Sequence, residues 1–173
     1  YILNIFKMAQ IFKDTNAIDS LRNSDFDAVS AYGEVVDNAI EAGAKNIHIR
    51  SFQKEGKRGY CRFERLAFAD DGEGMDEDTL GNCMTIGWSS RYNSRDGIGR
   101  FGVGMTMAAI HECKRVEAYS KCKGGDWLYT FLDLDDISAG NMDEIPSPSK
   151  KRLPKDIANL VVGDSGTIIV WSK

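Results

Sequence analysis

The stretch Asp70-Asp71-Gly72-Glu73-Gly74-Met75 constrains this chain more than any other. It follows directly on an apolar run, Leu66 to Ala69, which reads as a buried strand, and it turns sharply at two glycines. Asp70 is therefore a carboxylate at the mouth of a buried strand, where it is placed to hold something. Glycines at 72 and 74 leave room for the flat face of another molecule to approach the backbone.

The rest of the chain suits one domain built around that point. With 173 residues, 42% of them hydrophobic, it is long enough for a sizeable core. Residues 1–173 are expected to form a single domain, the N-terminal part of a longer protein; the sequence opens at Tyr1 without a methionine and stops soon after a strand-like run, as an excised domain would. A net charge of -4 gives no general attraction for nucleic-acid phosphates or anionic lipid. Cys61, Cys83, Cys113 and Cys122 are scattered without zinc-ligand spacing and read as reduced thiols, which implies a cytoplasmic setting, or a nuclear one in a eukaryote. No apolar run approaches the roughly 20 residues that span a bilayer, so no membrane partner is expected.

Residues 1–13 mix apolar and basic positions, as an amphipathic helix or an arm would. Thr15 or Asn16 can cap a short helix through Arg22, and Asp25 a longer one from Phe26 to Ala42 that Gly43 closes. At 100 degrees per residue, Glu34, Asp37, Asn38 and Glu41 share one side of this second helix, while Val29, Val36 and Ile40 share the other. The helix is thus expected to be apolar behind and acidic in front, with Ala39 and Ala42 leaving space beside the acids. Asn46 to Phe52 alternates as a half-buried strand, and Gln53 to Gly59 turns into a second strand from Tyr60 to Ala69. His48 reads as a surface or cross-strand residue. Asp76 or Asp78 can cap a short helix reaching Met84.

Thr85 to Phe101 is a long loop rich in Gly, Ser and Arg, and loops of that length are usually functional or mobile. It ends in Gly97-Ile98-Gly99-Arg100-Phe101-Gly102-Val103-Gly104, followed by an apolar helix from Met105 to Ile110. The run contains a literal GxGxxG, but the dinucleotide-binding fingerprint needs a strand directly before it in a parallel βαβ unit, and here a polar loop precedes it. What remains is the physics of glycines leading into a helix N-terminus, where backbone N–H groups and the dipole favour an anion. Lys114 to Lys121 and Trp127 to Leu134 read as further strands. Asp135 to Asp156 holds all three prolines and reads as an exposed excursion with a late helical turn near Ile157 to Leu160, and Lys150-Lys151-Arg152 within it as a solvated charge run. Thr167 to Trp171 is the last strand.

Taken together, these motifs resemble the GHKL superfamily of ATPases, which includes gyrase B, the large heat-shock chaperones, MutL, MORC proteins and histidine kinases. Glu34-Val35-Val36-Asp37-Asn38-Ala39 is similar to the family's N box, and Asp70 to Met75 to its DxGxG box. Gly99-Arg100-Phe101-Gly102-Val103-Gly104 resembles the glycine-rich lid end of the chaperones and MORC proteins, and Gly166-Thr167 the closing Gly-Thr. The resemblance implies a two-layer α/β sandwich, with a mixed, largely antiparallel sheet covered on one face by helices.

It also implies a site for ATP or ADP. Asp70 would accept the adenine amino group, with Thr167 and Gly74 reaching the ring through water, beside Gly72 and a slot lined by Ala42, Met75 and Ile169. Gly99, Arg100, Phe101, Gly102, Val103, Gly104 and Met105 would hold the phosphates. Asn38 would ligate Mg²⁺, and Glu34, one turn earlier, would be the catalytic base for water. In the gyrase and MutL branches a lysine from a following domain reaches the γ-phosphate, whereas this sequence ends at Lys173. The chaperones carry a lysine in the lid stretch, where Ile86-Gly87-Trp88-Ser89-Ser90 offers Trp88 instead. Arg91, Arg95 and Arg100 are the available substitutes, the first two reading equally as solvated lid charges.

The implied function is a Mg²⁺-dependent, slowly hydrolysing ATPase module. Its lid closure would drive homodimerisation or conformational change in a larger clamp-like protein that acts on DNA or a client protein through other domains. The alternatives are a nucleotide-dependent interaction module without hydrolysis and the ATP-binding domain of a histidine kinase. Neither His48 nor His111 lies in a phosphoacceptor helix, which speaks against a complete kinase.

Overall fold

The computed structural model describes residues 20, 22, 28–55, 60–86 and 104–173, the last range without the side chains of 104 and 105. The arm over 1–13, the body of the first expected helix, the start of the second, the hairpin turn at 56–59 and the loop over 87–103 lie outside these residues.

Helix α1 (Ala28–Glu41) ends where the sequence places a glycine. Gly43, at φ 73°, adopts the left-handed conformation that few residues other than glycine tolerate, and its N–H reaches the Ile40 carbonyl while the Ala44 N–H reaches Ala39. Strand β1 (Ile47–Glu55) and strand β2 (Cys61–Asp70) pair as an antiparallel hairpin. Helix α2 (Glu77–Asn82) is capped by Asp76, whose carboxylate accepts the Thr79 N–H at 2.8 Å. It ends earlier than expected. Helix α3 (Gly104–Glu112) leads into β3 (Arg115–Lys121), which pairs with β4 (Leu128–Asp133). A short helix α4 (Leu134–Ser138), a two-residue strand β5 (Ser149–Lys150) and strand β6 (Gly166–Ser172) complete the described elements.

The six strands form one sheet in the order β1-β2-β6-β3-β4-β5, with every described pairing antiparallel. This is the expected α/β sandwich. Leu66, Phe68, Val116, Ala118, Ile169 and Trp171 face the helices, meeting Ala31, Val35, Ala108, Ala109 and Cys113 in one core.

The opposite face is covered as well. Ala67, Ala69, Tyr119, Tyr129, Ile168 and Val170 pack against Ile157, Leu153, Leu160 and Val161. The expectation of an exposed excursion therefore holds only in part: Lys150, Lys151 and Arg152 are exposed, but Ile157 is fully buried and Pro146 receives the Thr130 hydroxyl. The reason lies in β2 and β6, which are apolar at successive positions and need cover on both faces.

The expected apolar side of α1 is corrected. Its buried stripe is Ala31, Val35 and Ala39, whereas Val29 is 80% and Ile40 57% exposed. Small side chains let α1 lie close to the sheet and α3, and the larger β-branched residues are turned to one flank. The acids occupy the opposite flank. Strand β1 is likewise less buried than its alternation implies, because it is the sheet's edge; Ile49 is exposed, and Ile47 and Phe52 are only half-buried.

Candidate functional site

The end of β2 and the loop behind it are fixed by their own backbone chemistry. Asp70 is paired in register with Ile47 on one side and Thr167 on the other, so its side chain is set by the sheet. Its Oδ1 accepts the Gly72 N–H at 2.9 Å. Burial pushes the Asp70 carboxyl up to about 6, against the N–H groups of Gly72 and Thr167 that pull it down, and the neighbouring Asp71 charge adds to the rise. An ionised carboxylate has about four acceptor directions, so capacity remains for a ligand donor.

Asp71 does a different task. Its carboxylate accepts the N–H groups of Lys45 and Asn46 at 2.7 and 2.8 Å and the Asn46 side-chain amide at 2.7 Å, stapling the loop to the turn after α1. These bonds, the Asn46 amide first, hold its carboxyl down to about 2.

The glycines prove necessary for a reason other than the one read from the sequence. A Cβ on Gly72 would meet the Ala42 carbonyl at 2.8 Å, the Ala42 Cβ at 2.9 Å and Asp70 Oδ1 at 2.9 Å. One on Gly74, at φ +75°, would sit 2.1 Å from the Lys121 carbonyl oxygen. Close approach of the protein to itself, at α1 on one side and β3 on the other, already requires both. The Glu73 N–H donates to the Ala42 carbonyl at 2.9 Å, which seats the loop on the end of α1.

A buried hydroxyl pair joins the loop to the sheet. Ser120 Oγ accepts the Met75 N–H at 2.7 Å and lies 2.8 Å from Thr167 Oγ1. Asp70, Gly72, Gly74, Met75, Thr167 and Ala42 are thus brought to one end of the sheet, with Ile169 following Thr167 on the helix-facing side.

Asn38 is one helical turn before Ala42, and Glu34 one turn before Asn38. Asn38 is exposed and Glu34 half-buried. Burial, then the carboxylates of Asp37 and Glu41, raise the Glu34 carboxyl above its ordinary value. Of the glycine run, Gly104 and Met105 open α3; Gly99, Arg100, Phe101, Gly102 and Val103 lie outside the described residues, as do Trp88, Arg91 and Arg95.

Sequence reasoning missed three side chains here. Asp71 stood in the motif without a role, although a second acid before a glycine is a common turn former. Ser120 gave little signal, being one polar position in an otherwise ordinary strand. Thr106, in the first turn of α3, is 3% exposed, and its Oγ1 has no hydrogen-bond partner among the described residues. A buried hydroxyl in that state is costly unless a ligand or water meets it.

Chemically, the arrangement sets an acceptor-only carboxylate beside a hydroxyl at one end, and an acid and an amide on one helix flank at the other. Residues 26–167 match the family described as histidine kinase-, DNA gyrase B-, and HSP90-like ATPase. Protein MICRORCHIDIA 7 of Arabidopsis thaliana is 29% identical over 160 residues, which is 84% of this chain and 22% of that protein. ATPase morc-1 of Caenorhabditis elegans is 29% identical over 105 residues, or 61% of this chain and 12% of its own length. Protein MICRORCHIDIA 3 of Arabidopsis thaliana is 37% identical over 85 residues, covering 48% of this chain and 14% of that protein. The chain thus spans no more than about a quarter of the relatives it matches.

Proposed function

Since the chain belongs to the histidine kinase-, DNA gyrase B-, and HSP90-like ATPases, we propose that Asp70, Thr167, Asn38 and Glu34 form one ATP site in which recognition and hydrolysis fall to different residues. The family gives ATP binding and ATPase activity in general terms. The observation that carries the assignment of roles is the pairing of Asp70 with Thr167 next to the C-terminal end of α1, where Ala42 meets the Asp70 to Met75 loop. A nucleotide lying along α1 with its base at Ala42 has its distal phosphate toward Glu34, about 12 Å up the helix axis at 1.5 Å per residue.

In this reading Asp70 accepts the adenine amino group, Thr167 and Gly74 address the ring, and Gly72, Ala42, Met75 and Ile169 shape the slot. The amides from Gly99 through Met105, entering α3, hold the phosphates. The side chains present suit Mg²⁺ brought in with the nucleotide. Among the described residues no three of His, Cys, Asp or Glu gather into a cage, and Asn38 offers one neutral oxygen while phosphate and water fill the other positions. When bound, the ion neutralises phosphate charge. Glu34 orients a water and takes its proton, and its raised affinity for that proton makes it a better base near neutral pH.

Lid closure over the γ-phosphate then drives dimerisation of a larger clamp-like protein, which engages DNA or a client protein through further domains. Of Arg91, Arg95 and Arg100, only Arg100 falls within the stretch of phosphate amides. Thermal melting tests the reading: ATP with Mg²⁺ at 100 times its Kd stabilises the chain by about 2.7 kcal/mol, and EDTA removes most of the shift. No shift at millimolar ATP overturns the site. In the full-length protein, a non-hydrolysable ATP analogue yields dimers that ADP does not; equal populations in both sink the lid-driven step.

A further inference from the structure

Ser120 stands directly across from Thr167 in the sheet and is fully buried. Its Oγ accepts the Met75 N–H at 2.7 Å, lies 2.8 Å from Thr167 Oγ1 and 3.3 Å from the Gly166 carbonyl oxygen. A serine hydroxyl has one proton and two lone pairs. Met75 occupies one lone pair, so the proton goes either to Thr167 or to Gly166. The Thr167 oxygen is at the ordinary O–H···O separation of about 2.7–2.8 Å, and the Gly166 oxygen is beyond the usual limit of about 3.0 Å. With the Ser120 proton on Thr167, the threonine's own proton is left to point out of the pair. In the reverse order Thr167 offers only lone pairs.

We propose that Ser120 is a positioning residue that sets the Thr167 hydroxyl as a donor, so that Asp70 and Thr167 present an acceptor beside a donor and select the base. The inference rests on the nucleotide reading above and narrows it. Adenine carries an amino group beside a ring nitrogen with a lone pair, which matches that pattern. Hypoxanthine and guanine carry a carbonyl beside a ring N–H, which opposes it at both points. A water that bridges Thr167 to the ring accepts the threonine proton and keeps both of its own for a ring lone pair, so it favours adenine too, but because it can also accept from a ring N–H it selects less sharply than direct contact. Ser120 itself touches no part of the ligand; it acts by deciding where the Thr167 proton goes.

Two alternatives are open to a buried serine here. It could serve only to hold the Met75 loop, in which case its loss weakens every nucleotide alike. It could instead set polarity, in which case its loss falls on the preference between bases. Equilibrium binding of ATP and of ITP, each with Mg²⁺, separates the two in the chain itself, Ser120→Ala, Thr167→Val and the double variant. The parent chain prefers ATP, and Ser120→Ala narrows the ATP:ITP ratio by about 5- to 10-fold, mainly through weaker ATP binding. In the Thr167→Val background the same change alters the ratio by less than about 2-fold, because the two residues act as one unit. Should Ser120→Ala lose its cooperative melt, Ser120→Cys, of similar size and a weaker donor, is expected to narrow the ratio in the same direction. Equal loss of ATP and ITP overturns the proposal, as does a ratio change that persists without the Thr167 hydroxyl. Binding of neither nucleotide by the parent chain overturns the nucleotide reading itself, a result distinct from both.

Discussion

At the proposed base end Asp70, Gly72, Met75 and Thr167 are tied to one another and to the sheet by hydrogen bonds of 2.7–2.9 Å, and two glycines are locked against Ala42, just after α1, and against β3. At the other end Glu34 and Asn38 stand on the open flank of α1, Asn38 exposed and Glu34 half-buried. Both ends adjoin α1, since Asn38 lies within it and Ala42 directly follows it. The difference is in what completes them. The base end is organised by the chain's own backbone before any ligand arrives, so recognition costs little reorganisation. At the proposed reacting end both side chains come from α1, and the amides assigned to the phosphates lead into α3.

That contrast breaks if the two ends respond alike to substitution. The largest expected effect is at the reacting end: Glu34→Gln lowers the ATPase rate by about 10²- to 10⁴-fold while ATP affinity stays within about 2-fold. An unchanged rate in the full-length protein would remove Glu34 as the base and favour a module that binds without hydrolysis. Next, Gly74→Ala drives a methyl against the Lys121 carbonyl at a positive φ. It is expected to destabilise the chain by about 3 kcal/mol, measured by denaturant unfolding. A near-neutral result would mean that the base end is not locked.

The smallest effect is also the most diagnostic, because it has two signs. Asp70→Asn weakens ATP binding by about 10- to 100-fold through loss of a charged acceptor, yet raises the stability of the ligand-free chain. The folded carboxyl keeps its proton up to about 6, whereas an unfolded Asp releases it near about 4. Folding therefore takes up a proton in that window, and ligand-free stability falls as pH rises through it, by on the order of 2 kcal/mol. ATP affinity moves the other way, weakening as pH drops below about 6, where Asp70 ceases to be a pure acceptor. Titration curves of melting temperature and of ATP affinity with the same slope sign would refute the assignment.

Much of this was legible in the sequence because local chemistry and global fold agree there. Gly43 closes α1, Asp76 caps α2, and the Asp70 motif follows a strand, as read. The misreadings have common causes. Periodicity put Val29, Val36 and Ile40 on the inner side of α1, but it sees only that residues share a face, not which face the sheet can approach; closeness favoured Ala31, Val35 and Ala39. The segment around Ile157 looked exposed because prolines and charges dominate it, while the four apolar residues that matter are spread between them. Ser120 was invisible because a single hydroxyl acquires meaning only from Met75 and Thr167, partners 45 and 47 positions away.

The order of the strands carries a last consequence. β6 follows the other five in sequence but lies third in the sheet, between β2 and β3. A ribosome making this chain cannot complete the sheet until residues 166–172 have emerged, and until then β2 and β3 present bare apolar edges to whatever is nearby. Thr167, which arrives with that strand, is also the residue that completes the proposed base end. On the proposed assignment, nucleotide binding therefore waits for the strand that is made last among those described, and the edges it covers are the ones most in need of shelter before it arrives.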